Sequence, residues 1–138
     1  MKNKKGSSFI TTPIITACSL IILIIFFITI VNYIKPFIWF EKLSIITQKY
    51  LYVVERFGKL TDNERKDLDI DLINKGFDID KIKISMPKQD LKYGNLFEFG
   101  ISYDYPQKEL VFENGVLTFK EKILPLRVSK YGYIKYNL

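Results

Sequence analysis

The amino-acid sequence predicts an α+β protein. An N-terminal transmembrane helix continues into an extracytoplasmic helix, and a second short helix and a small, mostly antiparallel sheet of three to five strands follow. Three observations lead to this prediction. No charged residue lies between Lys5 and Lys35, apolar residues beyond Lys35 recur at helical spacing, and after Gly76 apolar and polar residues alternate. Roughly 100 residues remain outside the charge-free segment, which is enough for one small core.

The charge-free segment at residues 13–34 has the length and composition of a membrane-spanning helix. From Ile14 to Val31 it is almost entirely apolar. A helix needs about 20 mostly apolar residues to cross a hydrocarbon layer of about 30 Å. The segment is longer than the apolar part of a secretory signal, and the rest of the chain is too small to surround it as a soluble core helix. We therefore expect a single membrane span, with an aromatic belt at Tyr33, Phe37 and Trp39.

The distribution of basic residues predicts the orientation of this span. Lys2, Lys4 and Lys5 are concentrated in the first five residues, whereas the lysines beyond the span are more widely spaced. The positive-inside rule then places the N-terminus in the cytoplasm of a cell whose membrane the chain crosses once. The expected organisation is a short basic leader-like cytoplasmic segment at residues 1–12, a transmembrane helix at 13–34 and an extracytoplasmic α+β domain at 35–138.

Beyond the span, six apolar residues follow one another at steps of four and three positions. This spacing is typical of a helix with one apolar stripe, and Gly58 fits the position just past its end. Pro36 either kinks this helix or begins a new one. The stripe either covers the domain's own sheet or docks a partner subunit, and both interpretations require the same residues. The six are Trp39, Leu43, Ile46, Tyr50, Val53 and Phe57.

The second helix is predicted from its end signals. Thr61 and Glu64 have the spacing of a capping box, in which the hydroxyl and the carboxylate each accept a hydrogen bond from the other residue's backbone N–H. The helix should run to about Lys75, with Gly76 as its C-terminal stop. Beyond Gly76, alternation predicts a strand at residues 82–86.

The later part of the chain carries strand and turn signals. The clearest strand covers residues 97–105, and Pro106 is expected to end it. Asn114-Gly115 lies between two apolar runs and predicts a two-residue hairpin turn. The strand after this turn should continue through Ile123, with Pro125 marking an edge or a bulge. The aromatic tail at residues 131–138 is expected to add a short strand.

The composition argues against several kinds of site. The chain has no histidine and one cysteine, Cys18, so imidazole catalysis and zinc sites of the Cys/His type are excluded. Asp67, Asp69 and Asp71 alternate like calcium ligands, but Leu72 occupies the position where a calcium loop needs glycine, which favours a solvated helix face. There is no glycine-rich phosphate loop. We expect no catalytic residues, no metal and no cofactor.

The net charge of +6 does not predict nucleic-acid binding. Three of the 21 basic side chains lie in the first five residues, so residues 35–138 carry 18 basic and 15 acidic side chains. The N-terminal lysines suit contact with anionic lipid. Strand alternation accounts for most of the aromatic residues as core, and we expect membrane lipid rather than nucleic acid as a partner.

The junction before the span resembles a known family. Lys4-Lys5-Gly6 leads through Ser7 and a short apolar and hydroxyl-bearing stretch into the apolar helix. This arrangement resembles prepilin-like proteins and, more closely, the TadE-like pilus-assembly proteins of low-GC Gram-positive bacteria. The family has a short basic leader, one span that continues into an extracytoplasmic helix, and a small α+β domain. It usually has a Glu five or six residues after the glycine, where this chain has Thr11 and Thr12.

The resemblance implies a non-enzymatic component of a pilus, secretion or conjugation-type surface apparatus. Gly6 and Ser7 would then form a leader-processing junction for a prepilin peptidase. Other apparatus subunits would be partners in a homo- or hetero-oligomer. Small and hydroxyl-bearing residues suit helix packing inside a bilayer, and the candidates are Thr16, Ala17, Ser19 and Thr29. The alternative is a bitopic membrane accessory or scaffold protein unrelated to pilins, and a hydrolase that uses carboxylates alone is a third hypothesis.

Overall fold

The computed structural model describes residues 8–87 and 91–135 and has the predicted α+β class. The chain divides into two compact units, Met1–Lys35 and Pro36–Leu138. A single antiparallel sheet of order β1-β2-β3 lies in the second unit. The elements are α1 (Ser8–Phe57), α2 (Asp62–Asn74), a 3₁₀ turn (Ile79–Lys81), β1 (Ile82–Ser85), β2 (Leu96–Glu113) and β3 (Val116–Tyr133).

The first helix contains both helical stretches predicted from the sequence. Pro36 lies inside α1, so it neither ends one helix nor begins another. The helix ends at Phe57, where Gly58 adopts a φ of 74° and donates its N–H to the carbonyl of Val54 at 2.7 Å. This left-handed residue after the last turn is the stop that the sequence predicts.

The second helix begins and ends as its local signals predict. The Thr61 hydroxyl accepts from the backbone N–H of Glu64 at 3.4 Å, and the Glu64 carboxylate accepts from the backbone N–H of Thr61 at 2.7 Å. The helix ends at Asn74, one residue before the expected end. Gly76 follows with a φ of 91°, which favours glycine because a Cβ is strained there.

The sheet is an antiparallel meander with one short and two long strands. β1 pairs with β2 from Ile82 opposite Tyr103 to Ser85 opposite Gly100. The long hairpin of β2 and β3 closes through Asn114 and Gly115, whose φ angles of 52° and 78° fit a type I′ turn. The hairpin predicted from this dipeptide is therefore confirmed.

The prediction that Pro106 ends its strand is wrong, because β2 continues to Glu113. In a two-residue hairpin the residues flanking the turn form a hydrogen-bonded pair, and such pairs alternate with pairs that make no ladder hydrogen bonds. Counting from Glu113 opposite Val116, the pairs Pro106–Ile123 and Asp104–Pro125 are of the second kind. Each proline nitrogen therefore faces an edge where no N–H is needed. The register has no bulge, and β3 is an edge strand.

The predicted short strand in the aromatic tail is instead the end of β3 at Tyr133, and residues 136–138 lie outside the described part of the chain. β3 passes close to α1 there. A Cβ built on Gly132 would lie 2.7 Å from Glu55 Oε1 and 3.1 Å from Leu51 Cδ1. Glycine at position 132 therefore permits the helix to approach the strand.

The core lies between one face of the sheet and the helices of the second unit. From Phe97 to Tyr105 the odd-numbered residues of β2 face the helices, as the alternation predicts, and the even-numbered residues lie on the other face. β3 contributes Leu126 and Val128 to the same core. The fully buried apolar side chains include Leu43, Val54, Leu68, Leu72, Phe99 and Ile101.

Candidate interaction surfaces

The N-terminal part of α1 is apolar and exposed along its length. It is long and apolar enough to cross a membrane, and its most hydrophobic stretch has no buried residue. Ile22, for example, leaves 68% of its surface exposed. Burial of apolar surface is favourable by about 25 cal/mol per Å². The first unit therefore has a continuous surface that its own residues leave uncovered.

The residues proposed for packing within this segment are exposed or half-buried. Thr16 and Ser19 donate their hydroxyls to the carbonyls four residues earlier, each at 2.9 Å, and Thr29 does the same at 2.8 Å. These donors are satisfied inside the helix, which is what an apolar environment requires. Ala17 lies beside them and is also exposed. All four side chains are small, and the three hydroxyl groups each donate a hydrogen bond within the helix.

The proposed processing junction at Gly6 and Ser7 lies outside the described residues. Thr11 and Thr12, which stand where the TadE-like family usually has Glu, lie inside α1 with their side chains exposed.

The predicted docking stripe packs mainly inside the second unit. Leu43, Ile46 and Tyr50 are buried in the core, and Trp39 and Val53 are partly buried against it. Phe57, at the end of the helix, is the one member of the stripe that is classed as exposed. The stripe thus covers the domain's own sheet, which is one of the two interpretations that the spacing left open. The buried members of the stripe are therefore not available to a partner.

An aromatic cluster anchors the beginning of this stripe. The Trp39 ring stacks on Tyr103 with centroids 5.7 Å apart and meets the edge of Phe77 at 4.8 Å. Tyr105 lies 5.9 Å away, and the ammonium of Lys42 lies 4.7 Å from the Trp39 ring. The cluster joins α1, the loop after α2 and β2, so the Trp39 side chain serves the fold.

A polar network ties α1 to α2. The Asp71 carboxylate accepts from Lys49 at 2.5 Å and from the Tyr50 hydroxyl at 2.9 Å. The hydrogen bond from Lys49, together with that from Tyr50, holds the pKa of Asp71 below its usual value. Burial, with the hydrogen bond to Asp71, raises the pKa of Tyr50 well above its usual value. The sequence predicted a solvated helix face for Asp71, but its carboxylate instead connects α2 to α1.

A second polar connection joins α1 to the end of the sheet. Glu55 is buried, and its carboxylate accepts from the ammonium of Lys135 at 2.5 Å. The Glu55 carbonyl accepts from the backbone N–H of Lys135 at 2.9 Å, and Gln48 accepts from Lys130 at 2.8 Å. The ammonium of Lys135 compensates the Glu55 carboxylate for its loss of water.

Two further surfaces were missed by sequence reasoning, and the first lies on α1. Ile45 and Tyr52 are exposed, with 64% and 57% of their surfaces free, and Phe37, which the sequence predicted only as part of an aromatic belt, leaves 65% free. Steps of eight and seven residues place them on one side of the helix. The signal was present in the spacing of Ile45 and Tyr52, but the more regular stripe beginning at Trp39 obscured it.

The second missed surface is the outer part of the β2–β3 hairpin, residues 106–123, which we call the arm. Among the described residues, β1 pairs only with the segment Gly100–Tyr103 of β2, so the arm consists of two strands there. Every residue of the arm from Phe112 onward is exposed. A two-stranded hairpin is at best marginally stable by itself in water, and both of its outer edges have unpaired backbone groups.

Most of the apolar side chains of the arm lie on the opposite face from those of the core. Residues that pair across an antiparallel sheet share a face, and alternate positions share it along each strand. The core face of the hairpin continues into the arm mainly as polar side chains, including Glu109 and Lys122, whose charged groups lie 3.7 Å apart. The other face, which we call the arm face, carries Pro106, Leu110, Phe112, Leu117, Phe119 and Ile123.

Within the described residues, no group of three or more His, Cys, Asp or Glu side chains is placed to hold a metal ion. In comparisons with known proteins, no family model, no curated protein and no solved structure matches this chain. The function is therefore inferred from three surfaces: the apolar part of α1, the side of α1 with Ile45 and Tyr52, and the arm face.

Proposed function

We propose that the protein is a membrane-anchored, non-enzymatic, TadE-like and pilin-like component of a pilus, secretion or conjugation-type surface apparatus. One observation carries this proposal. A single helix, α1, has an N-terminal part whose apolar side chains are uncovered and a C-terminal part whose side chains form the core of a sheet domain. An anchor that is also a core element suits a subunit held in a membrane and bound by neighbours outside it.

In this function the apolar part of α1 spans the cell membrane once. The N-terminal lysines keep that end in the cytoplasm, and the α+β domain lies outside the cytoplasm. Helices of neighbouring subunits pack through Thr16, Ala17, Ser19 and Thr29, because small side chains permit close approach in lipid. The domain binds other subunits through Ile45 and Tyr52 and their neighbours on α1, since most of the original stripe is covered.

A specific observation supports a second candidate, a bitopic accessory or scaffold protein unrelated to pilins. The TadE-like family usually has a carboxylate five or six residues after its glycine, and this chain has Thr11 and Thr12 there. The resemblance implies that this carboxylate balances the charge of a neighbouring subunit's N-terminal amine, which a hydroxyl cannot do. Such a protein would keep its N-terminal segment and would have no prepilin peptidase as a partner.

Intact-mass spectrometry of the chain purified from its own membranes separates the two candidates. Processing between Gly6 and Ser7 would give a chain that begins at Ser7, with or without an N-methyl group, and this is the result expected of the pilin-like component. A Gly6→Leu variant is the matched control and should retain the leader. A wild-type chain that keeps residues 1–6 would contradict processing and favour the scaffold.

A further inference from the structure

The arm combines an apolar face and a charged face in one short hairpin. On the charged face, Glu113 pairs with Lys120 and Glu109 pairs with Lys122. On the arm face, Phe112 and Ile123 each leave 69% of their surfaces exposed, and Phe119 leaves 59%. Exposed apolar surface on a two-stranded element is costly, and a contiguous patch of this kind marks an interaction site.

One charged pair interrupts the arm face. Lys108 and Glu121 lie directly opposite each other across the two strands. Among the described residues, neither side chain has an ion-pair partner within 4.0 Å, unlike both charged pairs on the opposite face. Together with Phe119 they line a surface depression of about 330 Å³. The arm face thus has room and charges of both signs for a partner.

We propose that the occupant of the arm face is the same face of a second copy of this chain. The two arms stack face to face about a two-fold axis that runs parallel to their strands. This axis places Lys108 of each copy over Glu121 of the other, so both charges gain an opposite partner. It also places Leu110 over Phe119 and Phe112 over Leu117, in an interface that uses one patch on both copies.

The charges select this axis over its alternative. A two-fold axis across the strands at this pair would place Lys108 over Lys108 and Glu121 over Glu121, and such like-charge contacts are strongly unfavourable. An axis across the strands at Leu110 would place Lys108 over Phe112 and would leave both charges without an opposite partner. The axis along the strands makes the arms parallel and brings the two hairpin tips together. Stacked sheets lie about 10 Å apart, so the tips are near neighbours in this dimer.

The small size of the arm predicts a weak contact, which forms only at a high local concentration of the chain. At about 3.4 Å per residue its strands are about 27 Å long, and two strands are about 10 Å wide. The covered surface is therefore well below the roughly 800 Å² per partner of a standard stable interface. Chains anchored in one membrane raise each other's effective concentration. The pairing of the arms therefore rests on the membrane anchor of the proposed function.

The first test exchanges charges between copies. Full-length chains carrying Lys108→Glu have two negative charges on the arm face, and chains carrying Glu121→Lys have two positive charges. Each variant alone in lipid nanodiscs should pair at least about tenfold more weakly than wild type, and the two variants mixed should regain pairing. Glu109→Lys is the matched control, because it makes a like-charge pair one residue away on the other face and should leave pairing unchanged.

The readout is the distance between spin labels at the hairpin tip, which reports contact between arms even if the anchors also associate. The label is placed at Val116→Cys in a Cys18→Ser background, on the face away from the partner. Parallel arms predict a label distance of about 25 Å or less, and antiparallel arms predict about 35 Å or more.

The proposal stands if wild type gives the short distance, each charge variant loses it and their mixture restores it. It is overturned by a long distance, by no distance at all in wild type, or by charge variants that pair as well as wild type. It is likewise overturned if the labelled arm inserts into lipid or binds another protein instead. Sedimentation of the same samples with membranes reports the anchor separately. Loss of the short distance in chains that sediment with membranes counts against the pairing alone, whereas a chain that stays soluble counts against the proposed function.

Discussion

The two halves of the β2–β3 hairpin are built from the same two strands in one unbroken register, yet most of their apolar side chains lie on opposite faces. In the half next to the helices, Phe99, Ile101 and Val128 are buried in the core. In the arm, the side chains that continue this face are mostly polar, and Phe112 and Phe119 lie exposed on the other face. A strand pattern therefore shows which side is apolar, while the neighbouring elements decide whether that side is covered.

The largest expected difference between the halves comes from removing one phenylalanine in each. Phe99→Ala leaves a cavity in the core and should lower the free energy of unfolding by about 3–5 kcal/mol. Phe112→Ala, on the same strand, should change the stability of the monomer by less than about 0.5 kcal/mol, because that ring is exposed. Urea unfolding followed by circular dichroism in detergent measures both. Equal losses would mean that the arm folds as part of the core.

Hydrogen exchange tests the same contrast without changing the core. In the Lys108→Glu variant, which should leave the arm unpaired, amides of residues 107–111 should exchange at least about 100-fold faster than those of residues 99–103. The reason is that local opening of the arm exposes little apolar surface. Exchange followed by mass spectrometry of peptides from each half gives the ratio. Similar protection in both halves would contradict a separately opening arm.

The close approach of α1 to β3 predicts a smaller effect in the core half. Gly132→Ala adds a Cβ within about 3 Å of Glu55 and Leu51 and should destabilise the domain by about 1–3 kcal/mol. Ser129→Ala, on the exposed face of the same strand, is the control and should be nearly neutral. Thermal unfolding measures both variants. A neutral Gly132→Ala would show that the helix does not lie against the strand there.

The smallest expected effect is the pH dependence due to Asp71. The folded state lowers the pKa of this carboxyl, so its contribution to stability is complete above the unfolded value of about 4 and is lost as the pH falls through the folded value. The side chain is about one-third exposed, and we expect less than about 1 kcal/mol. Asp71→Asn should therefore flatten the loss of stability on acidification below about pH 4.

The control for this titration lies in the arm. Glu113 pairs with Lys120 near the hairpin tip, where both side chains are about half exposed. Glu113→Gln should leave the pH dependence of core unfolding as in wild type. If Glu113→Gln flattened the acid limb as much as Asp71→Asn, the arm would contribute to the stability of the core.

Local signals in the sequence predicted much of the fold. The capping box at Thr61 and Glu64 and the Asn114-Gly115 turn each depend on neighbours in sequence, and both are present in the structure. The apolar run before Lys35 needed only composition to predict a helix long enough to span a membrane. The core face of β2 from Phe97 to Tyr105 was also predicted, because the alternation of apolar and polar residues is itself a local signal.

The errors arose where the environment decides the outcome. Pro106 was expected to end β2, and knowing that its nitrogen faces a free edge requires the register of the whole hairpin. The stripe that begins at Trp39 suits a sheet and a partner equally well, so only the position of the sheet shows that it is covered. The change of apolar face at Pro106 was visible in the sequence, but the end of the covered region was not.

Extraction of the full-length chain from its own membranes at alkaline pH tests the central claim most directly. Carbonate removes proteins that bind a membrane by charge or through a partner, but it does not remove a spanning helix. We predict that the chain stays in the membrane pellet and is released only by detergent. Recovery of the full-length chain in the carbonate supernatant would contradict the membrane anchor.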